Sequence, residues 1–198
     1  MGEMQMFRKS LFVILLALMC ATLVITPCAG EVIVDVQEMF YPTGWMGDWQ
    51  DLTVDDNWNT GCHSGSNCVK VEYSAEGSRE TDWAGIYWQY PKYNWGEKSG
   101  MDLSGTRTRK LTFWAKGKNG GENVEFMVGG ITGNTYEDSI SPAITLGVQK
   151  LNSSWVEYTI DLSDEDLSSV IGGFCLIVDQ DDNPSGCTIY LDDIVYES

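Results

Sequence analysis

The chain holds a single histidine, His63, among 198 residues. It therefore lacks the histidine clusters from which zinc hydrolases are built. One imidazole also leaves little for a nucleophile–base pair. The surrounding GCHSG is a turn sequence, not the strand-to-helix setting of a nucleophile elbow. Positive charge is scarce too: 12 Lys and Arg face 29 Asp and Glu, a formal net charge of −17. Such a field repels nucleic acid and anionic lipid. The glycine-bearing GKNGG and GENVEFMVGG come without a phosphate-loop lysine or a strand–loop–helix setting, which excludes that mode of nucleotide binding. There is no apolar stripe at helical spacing, no low-complexity linker, no repeat of fixed period, and only one long hydrophobic run.

That run lies at the start. Arg8 and Lys9 precede it, Leu11 to Ile25 form it, and TPCAG follows. Basic, apolar, then small is the order of a secretory signal peptide, here over residues 1–30, with Cys28 and Gly30 at the small positions. The run is short for a membrane span. The expectation is a secreted, extracellular or cell-surface protein with no membrane span in its mature part and one domain over residues 31–198. That part carries ten Lys and Arg against 28 Asp and Glu, a balance that suits cations or neutral ligands. Asn152-Ser153-Ser154 is a sequon that permits N-glycosylation.

Four cysteines follow the signal: Cys62, Cys68, Cys175 and Cys187. An even count in an exported chain favours disulfides. Of the three pairings, the local one joins Cys62 to Cys68 and Cys175 to Cys187. A four-cysteine zinc site is the rival, but gaps of five and eleven residues are not those of metal knuckles.

Period-two alternation dominates the rest. VKVEY puts Val69, Val71 and Tyr73 on one face. KLTFWAK puts Leu111, Phe113 and Ala115 inward and leaves Thr112, Trp114 and Lys116 on the other side. ENVEFMV aligns Val124, Phe126 and Val128, and WVEYTIDL aligns Val156, Tyr158 and Ile160. VIVDVQE reads as an edge or entry strand, and FCLIVD and CTIYLDDIVYE supply the last two. Turns rich in Gly, Asn, Ser and Asp separate them, and Ser163 with Asp166 reads as the cap of a short helical turn. Nine or ten such strands predict an all-β, two-sheet antiparallel sandwich.

WAGIYWQYPKYNWG, DLSGTRTRKLTFWAKG, SSWVEYTIDLSDEDLSSVIGGF and CTIYLDDIVYE follow one another through nearly all of the mature chain. In this order they resemble the jelly-roll carbohydrate-binding modules of the galactose-binding-domain-like superfamily. The resemblance implies a jelly roll of eight or more strands. It also implies a structural calcium near the chain ends, with Asp192 of LDDI as ligand beside Asp193, and Glu38 and Asp35 as partners. Calcium takes six to eight hard oxygens, which carboxylates and turn carbonyls supply. Read without the resemblance, Asp192 and Asp193 accept hydrogen bonds near a sheet end.

Eight tryptophans remain after the signal. Indole and phenol rings stack on the C–H faces of sugars, and a neutral glycan needs no positive protein; the same rings also anchor protein partners. Trp88 shares a face with Ala84, Ile86 and Tyr90 and reads as core. Trp155 reads as sheet-edge packing. Trp114, Trp83 and Tyr87 are candidates for an open sheet face, and Trp95 with Tyr93 and Asn94 for a ligand-binding loop. In YPTGWMGDWQ, read as a turn, Trp45 closes a sandwich end, Trp49 faces outward, and Asp48 accepts either a sugar hydroxyl or a turn amide. The leading expectation is a noncatalytic module binding a polysaccharide or other glycan. The second is a structural or adhesive protein that self-associates or binds extracellular proteins. The third, glycoside hydrolysis or polysaccharide lysis, rests on two carboxylates from Asp48, Asp51, Asp55, Asp56, Glu137 and Asp138 facing one cleft.

Overall fold

Alternation sets the strand faces as the sequence implies. Val69, Val71 and Tyr73 are buried while Glu72 is exposed, and Leu111, Phe113, Ala115, Val124, Phe126 and Val128 are all buried. The computed structural model describes residues 33–198; the expected signal peptide lies outside them. In chain order the elements are β1 (Val34–Asp35), a short helix α1 (Val36–Met39), β2 (Tyr41–Gly47), β3 (Leu52–Trp58), β4 (Cys68–Tyr73) and β5 (Trp83–Gln89). Then come β6 (Lys110–Gly117), β7 (Asn123–Val128), β8 (Ile144–Lys150), β9 (Val156–Asp161), β10 (Gly172–Asp179) and β11 (Cys187–Glu197).

The strands form two antiparallel sheets. One runs β3-β4-β11-β6-β9, with β1 paired to the second half of β11; the other runs β2-β5-β10-β7-β8. Their inner faces meet on an aromatic centre: Phe113 lies 4.7 Å from Phe126 and 5.0 Å from Phe174, both edge to face, and Trp88 packs on Phe174 at 5.5 Å. Edge-to-face contacts add about 0.5–1.5 kcal/mol each to the burial itself. Among the described residues no helix is long and apolar enough to cross a membrane.

Four readings change. VIVDVQE is a strand for only two residues, because Asp35 accepts the Gln37 amide at 2.8 Å and starts α1 as its N-cap. DEDLSS forms turns without a helix; Asp161 takes the Ser163 amide and hydroxyl instead. YPTGWMG is not a turn but β2, an edge strand, the place where a sheet tolerates proline. Finally, only Cys62–Cys68 is a disulfide; Cys175 and Cys187 are free. Cys175 sits in β10, packed with Tyr87, Ile131 and Ile171 outside the main core, whereas Cys187 opens β11 in the opposite sheet. With one cysteine pair already joined, the four-cysteine zinc site falls as well.

Candidate glycan-binding face

The outer face of the five-stranded sheet follows from the strand registers. Trp83 pairs with Asp179. The next row runs Met46, Gly85, Ile177, Glu125 and Val148, and the one beyond runs Gly44, Tyr87, Cys175, Met127 and Thr145. Gly85 lowers the floor between Met46 and Ile177; a Cβ there would lie 3.0 and 3.1 Å from their side chains. Trp83 rests on Gly47, where a Cβ would come within 3.0 Å of the indole. Acceptors ring the floor. Glu125 takes the Thr145 hydroxyl at 2.5 Å, and Asn123, Glu125 and Asp179 line a cleft of about 130 Å³ with Ile177 and Val148.

One end of this face is walled by loops. Trp95 is 37% exposed and meets the Tyr87 ring edge-on at 6.1 Å. Tyr93, 70% exposed, and Tyr136 stand in the same pair of loops, tied where the Tyr136 amide donates to Gly96 O. Burial first, then the Cys175 and Asp138 charges, push the Tyr87 hydroxyl up, so it stays a donor, to Gly129 O at 3.0 Å. Asn94 does not face a ligand. It is buried, its amide donates to Tyr90 O and Lys98 O, and its Oδ1 accepts from Gly96 and Lys98. The sequence reading missed Tyr136, Met46, Met127, Ile177 and Glu125; alternation in β7 and β10 carried the signal for three of them.

Asp48 is likewise an internal anchor. It is fully buried and accepts from the amides of Arg79, Thr81 and Asp82. It thereby holds the loop before β5, and with it Trp83. Trp45 packs on the core, and Trp49 covers it from outside at 6.4 Å, 39% exposed. Desolvation pushes the Asp48 carboxyl up, but the Thr81, Arg79 and Asp82 hydrogen bonds outweigh it and hold the group below its ordinary range. A carboxylate depressed in the folded state contributes stability above its unfolded pKa, about 3.9, and loses it as pH falls through the folded value. Amide exchange at Arg79, Thr81 and Asp82, corrected for intrinsic rates, should therefore rise sharply below about pH 4. Unchanged protection at those amides would reject Asp48 as the anchor.

A family model, carbohydrate binding domain 30, matches residues 33–198. The chain belongs to the carbohydrate binding domain 30 family. The crystal structure of a family 30 carbohydrate-binding module aligns with this family 30 domain at TM-score 0.59 and 17% identity, covering 85% of this chain and 89% of that one. A family 11 module from Clostridium thermocellum, in complex with a β-1,3-1,4-mixed-linked tetrasaccharide, aligns at TM-score 0.54 and 16% identity, covering 83% and 93%. At such identities the likeness establishes the jelly-roll sandwich. No curated protein matches the chain.

The second outer face of this family 30 domain, on the six-stranded sheet, is also aromatic but already covered. Trp114, grouped in sequence with Trp83 and Tyr87, lies here, with His63 stacked on it at 3.8 Å and 13°. Lys70 sits 4.6 Å over Trp58, and Lys116 lies 4.7 Å over Trp155 and 5.1 Å over Tyr190. The Cys62–Cys68 loop that brings His63 is pinned by Asp192, which accepts the His63 and Ser64 amides, and by Asp193, which pairs with the imidazole at 2.7 Å.

Asp192 also takes the Asp193 amide, so its carboxylate is spent on three backbone donors. Asp35 caps α1, Glu38 is exposed, and these two line a cleft that Asp192 does not reach. Among the described residues the one trio of His, Cys, Asp or Glu ligand atoms within 4.8 Å of one another is Cys62, Cys68 and Asp192, two of which are the disulfide. Asp192, Glu38 and Asp35 therefore do not fit one calcium ion. The carboxylates considered for hydrolysis have other work: Asp48 and Asp51 hold amides of the loop before β5, Asp138 holds buried amides at Ile171 and Gly172, Asp55 and Asp56 lie on edge strand β3, and Glu137 takes the Gly133 amide.

Proposed function

We propose that this domain is secreted and binds a neutral polysaccharide, without cleaving it, on the outer face of the five-stranded sheet. The observation that carries the reading is the contrast between the two faces. Rings of the six-stranded sheet are stacked by His63, Lys70 and Lys116, whereas no cation or second ring stacks face to face on Trp83 or Trp95 among the described contacts. Trp83 and Trp95 flank an apolar floor whose polar groups, Glu125, Asp179 and Asn123, accept hydroxyl protons. Carboxylates in that position repel anionic polysaccharides and favour neutral ones.

The tetrasaccharide held by the family 11 module makes mixed-linked β-1,3-1,4-glucan the first probe. Titration calorimetry with that glucan and a panel of other neutral polysaccharides should give saturable binding, with none to polygalacturonate. A panel without a single neutral binder, or a preference for the anionic polymer, rejects the reading.

A further inference from the structure

Next to the cleft that Asn123 and Asp179 line, with Asp182 on the border of both, two glycine-bearing turns meet at one end of the sandwich. Residues 118–122 join β6 to β7, and residues 180–186 join β10 to β11. Together they enclose a cleft of about 230 Å³ lined by Asn119, Glu122, Asp182, Ser185 and Cys187. The turns are braced by a side-chain lock. Asn183 Nδ2 donates to Asn123 O at 2.8 Å, its Oδ1 accepts the Asn123 amide at 3.0 Å, and Asn123 Nδ2 donates to Asp182 O at 3.1 Å.

Glu122 is the unusual member. It is 7% exposed. Its Oε1 accepts the Asn119 amide at 2.7 Å, but its buried Oε2 has no hydrogen-bond partner. Gly117 gives the carboxylate its room, since a Cβ there would collide with Oε2. Neither Glu122 nor Asp182 belongs to any ion pair among the described residues. An ionised oxygen taken from water without a partner is strongly disfavoured.

We propose that this cleft binds a hard divalent cation, with Glu122 Oε2 as the buried ligand, Asp182 as the ligand at the rim, and turn oxygens and water completing the shell. The donor types are oxygens, which suit calcium's six to eight ligands. Two carboxylates place the site among weak extracellular calcium sites, with Kd on the order of 10⁻⁴–10⁻³ M.

The test uses the full domain stripped by chelator and titrated with calcium chloride. Two readouts are followed: the melting temperature and the heat of calcium binding by titration calorimetry. Expected are a saturable rise of a few degrees by about 10 mM calcium and a saturable binding heat. Glu122→Gln should abolish both effects, and Asp182→Asn should raise Kd about tenfold or more. No response in the native protein overturns the proposal. So does a response that both variants keep, which assigns the ion elsewhere. Where Glu122→Gln does not fold, the rim variant Asp182→Asn decides alone.

Discussion

Trp83→Ala lowers affinity for the bound neutral glycan about thirty-fold, the equivalent of roughly 2 kcal/mol, and leaves the melting temperature within a few degrees. The indole is outside both hydrophobic clusters and lies on Gly47, so removing it opens no core cavity. It does remove an aromatic anchor from one end of the floor that Met46, Gly85 and Ile177 build. Trp95→Ala should act in the same direction at the other end. Trp114→Ala is the control on the opposite sheet, where the ring already stacks on His63, and its affinity should match the native value. Calorimetric titration of the three variants decides: loss of binding in Trp114→Ala with Trp83→Ala unaffected would place the glycan on the six-stranded sheet instead.

What the sequence revealed follows from where each strand sits. VKVEY, KLTFWAK, NVEFMV and FCLIVD are interior strands; the first three alternate, and FCLIVD is a continuous apolar run buried on both faces over most of its length. The strands that went unread, β2, β3 and β8, all lie at sheet edges. An edge strand has a free side, so it tolerates Pro42 and Gly44 in β2, Asp55 and Asp56 in β3, and Gly147 at positive φ in β8. The same features that keep an edge from pairing with another chain erase the period-two signal. Trp114 shows a second limit: alternation placed it on an outer face, but a period of two does not say to which sheet that face belongs.

The candidate site divides along chemical lines. Trp83 and Tyr87 share one outer strand face and Trp95 meets Tyr87 from the loop, while Tyr93 is an exposed residue of that loop. Asp48 and Asn94 turned inward, because short carboxylate and amide side chains satisfy backbone amides in the loops that carry them. A sequence containing Asp or Asn beside Trp does not distinguish a group that meets a sugar from one that holds the loop presenting the ring. Here the holding role wins at both positions, and each is coupled to function through its neighbour: Asp48 through Trp83, Asn94 through Trp95.

The largest stability effect falls on a third such anchor. Asp138 is buried, with Oδ1 accepting the Ile171 amide at 2.6 Å and Oδ2 accepting those of Ile131 and Gly172 at 3.1 and 3.0 Å. Asp138→Ala leaves three buried N–H groups unpaired, and partial relaxation still leaves a loss on the order of 3 kcal/mol. For a domain of this size that lowers the melting temperature by about 6–12 °C. Asn rescues only part of it, because its NH2 would face two of the donors that Oδ2 now accepts. Burial pushes the Asp138 carboxyl above its ordinary range against the pull of the Ile171, Gly172 and Ile131 amides. A carboxyl raised in the folded state contributes most below its unfolded pKa and loses that contribution as pH rises through the folded value. The alanine variant is therefore penalised more near pH 4 than near pH 7, opposite in sign to the acid lability conferred by Asp48. Because the segment from Ile131 to Asp138 carries Tyr136 and backs Tyr87, glycan affinity should fall together with stability. Thermal melts at the two pH values test the sign, and a variant with native melting temperature at both would show that the three amides find partners without Asp138.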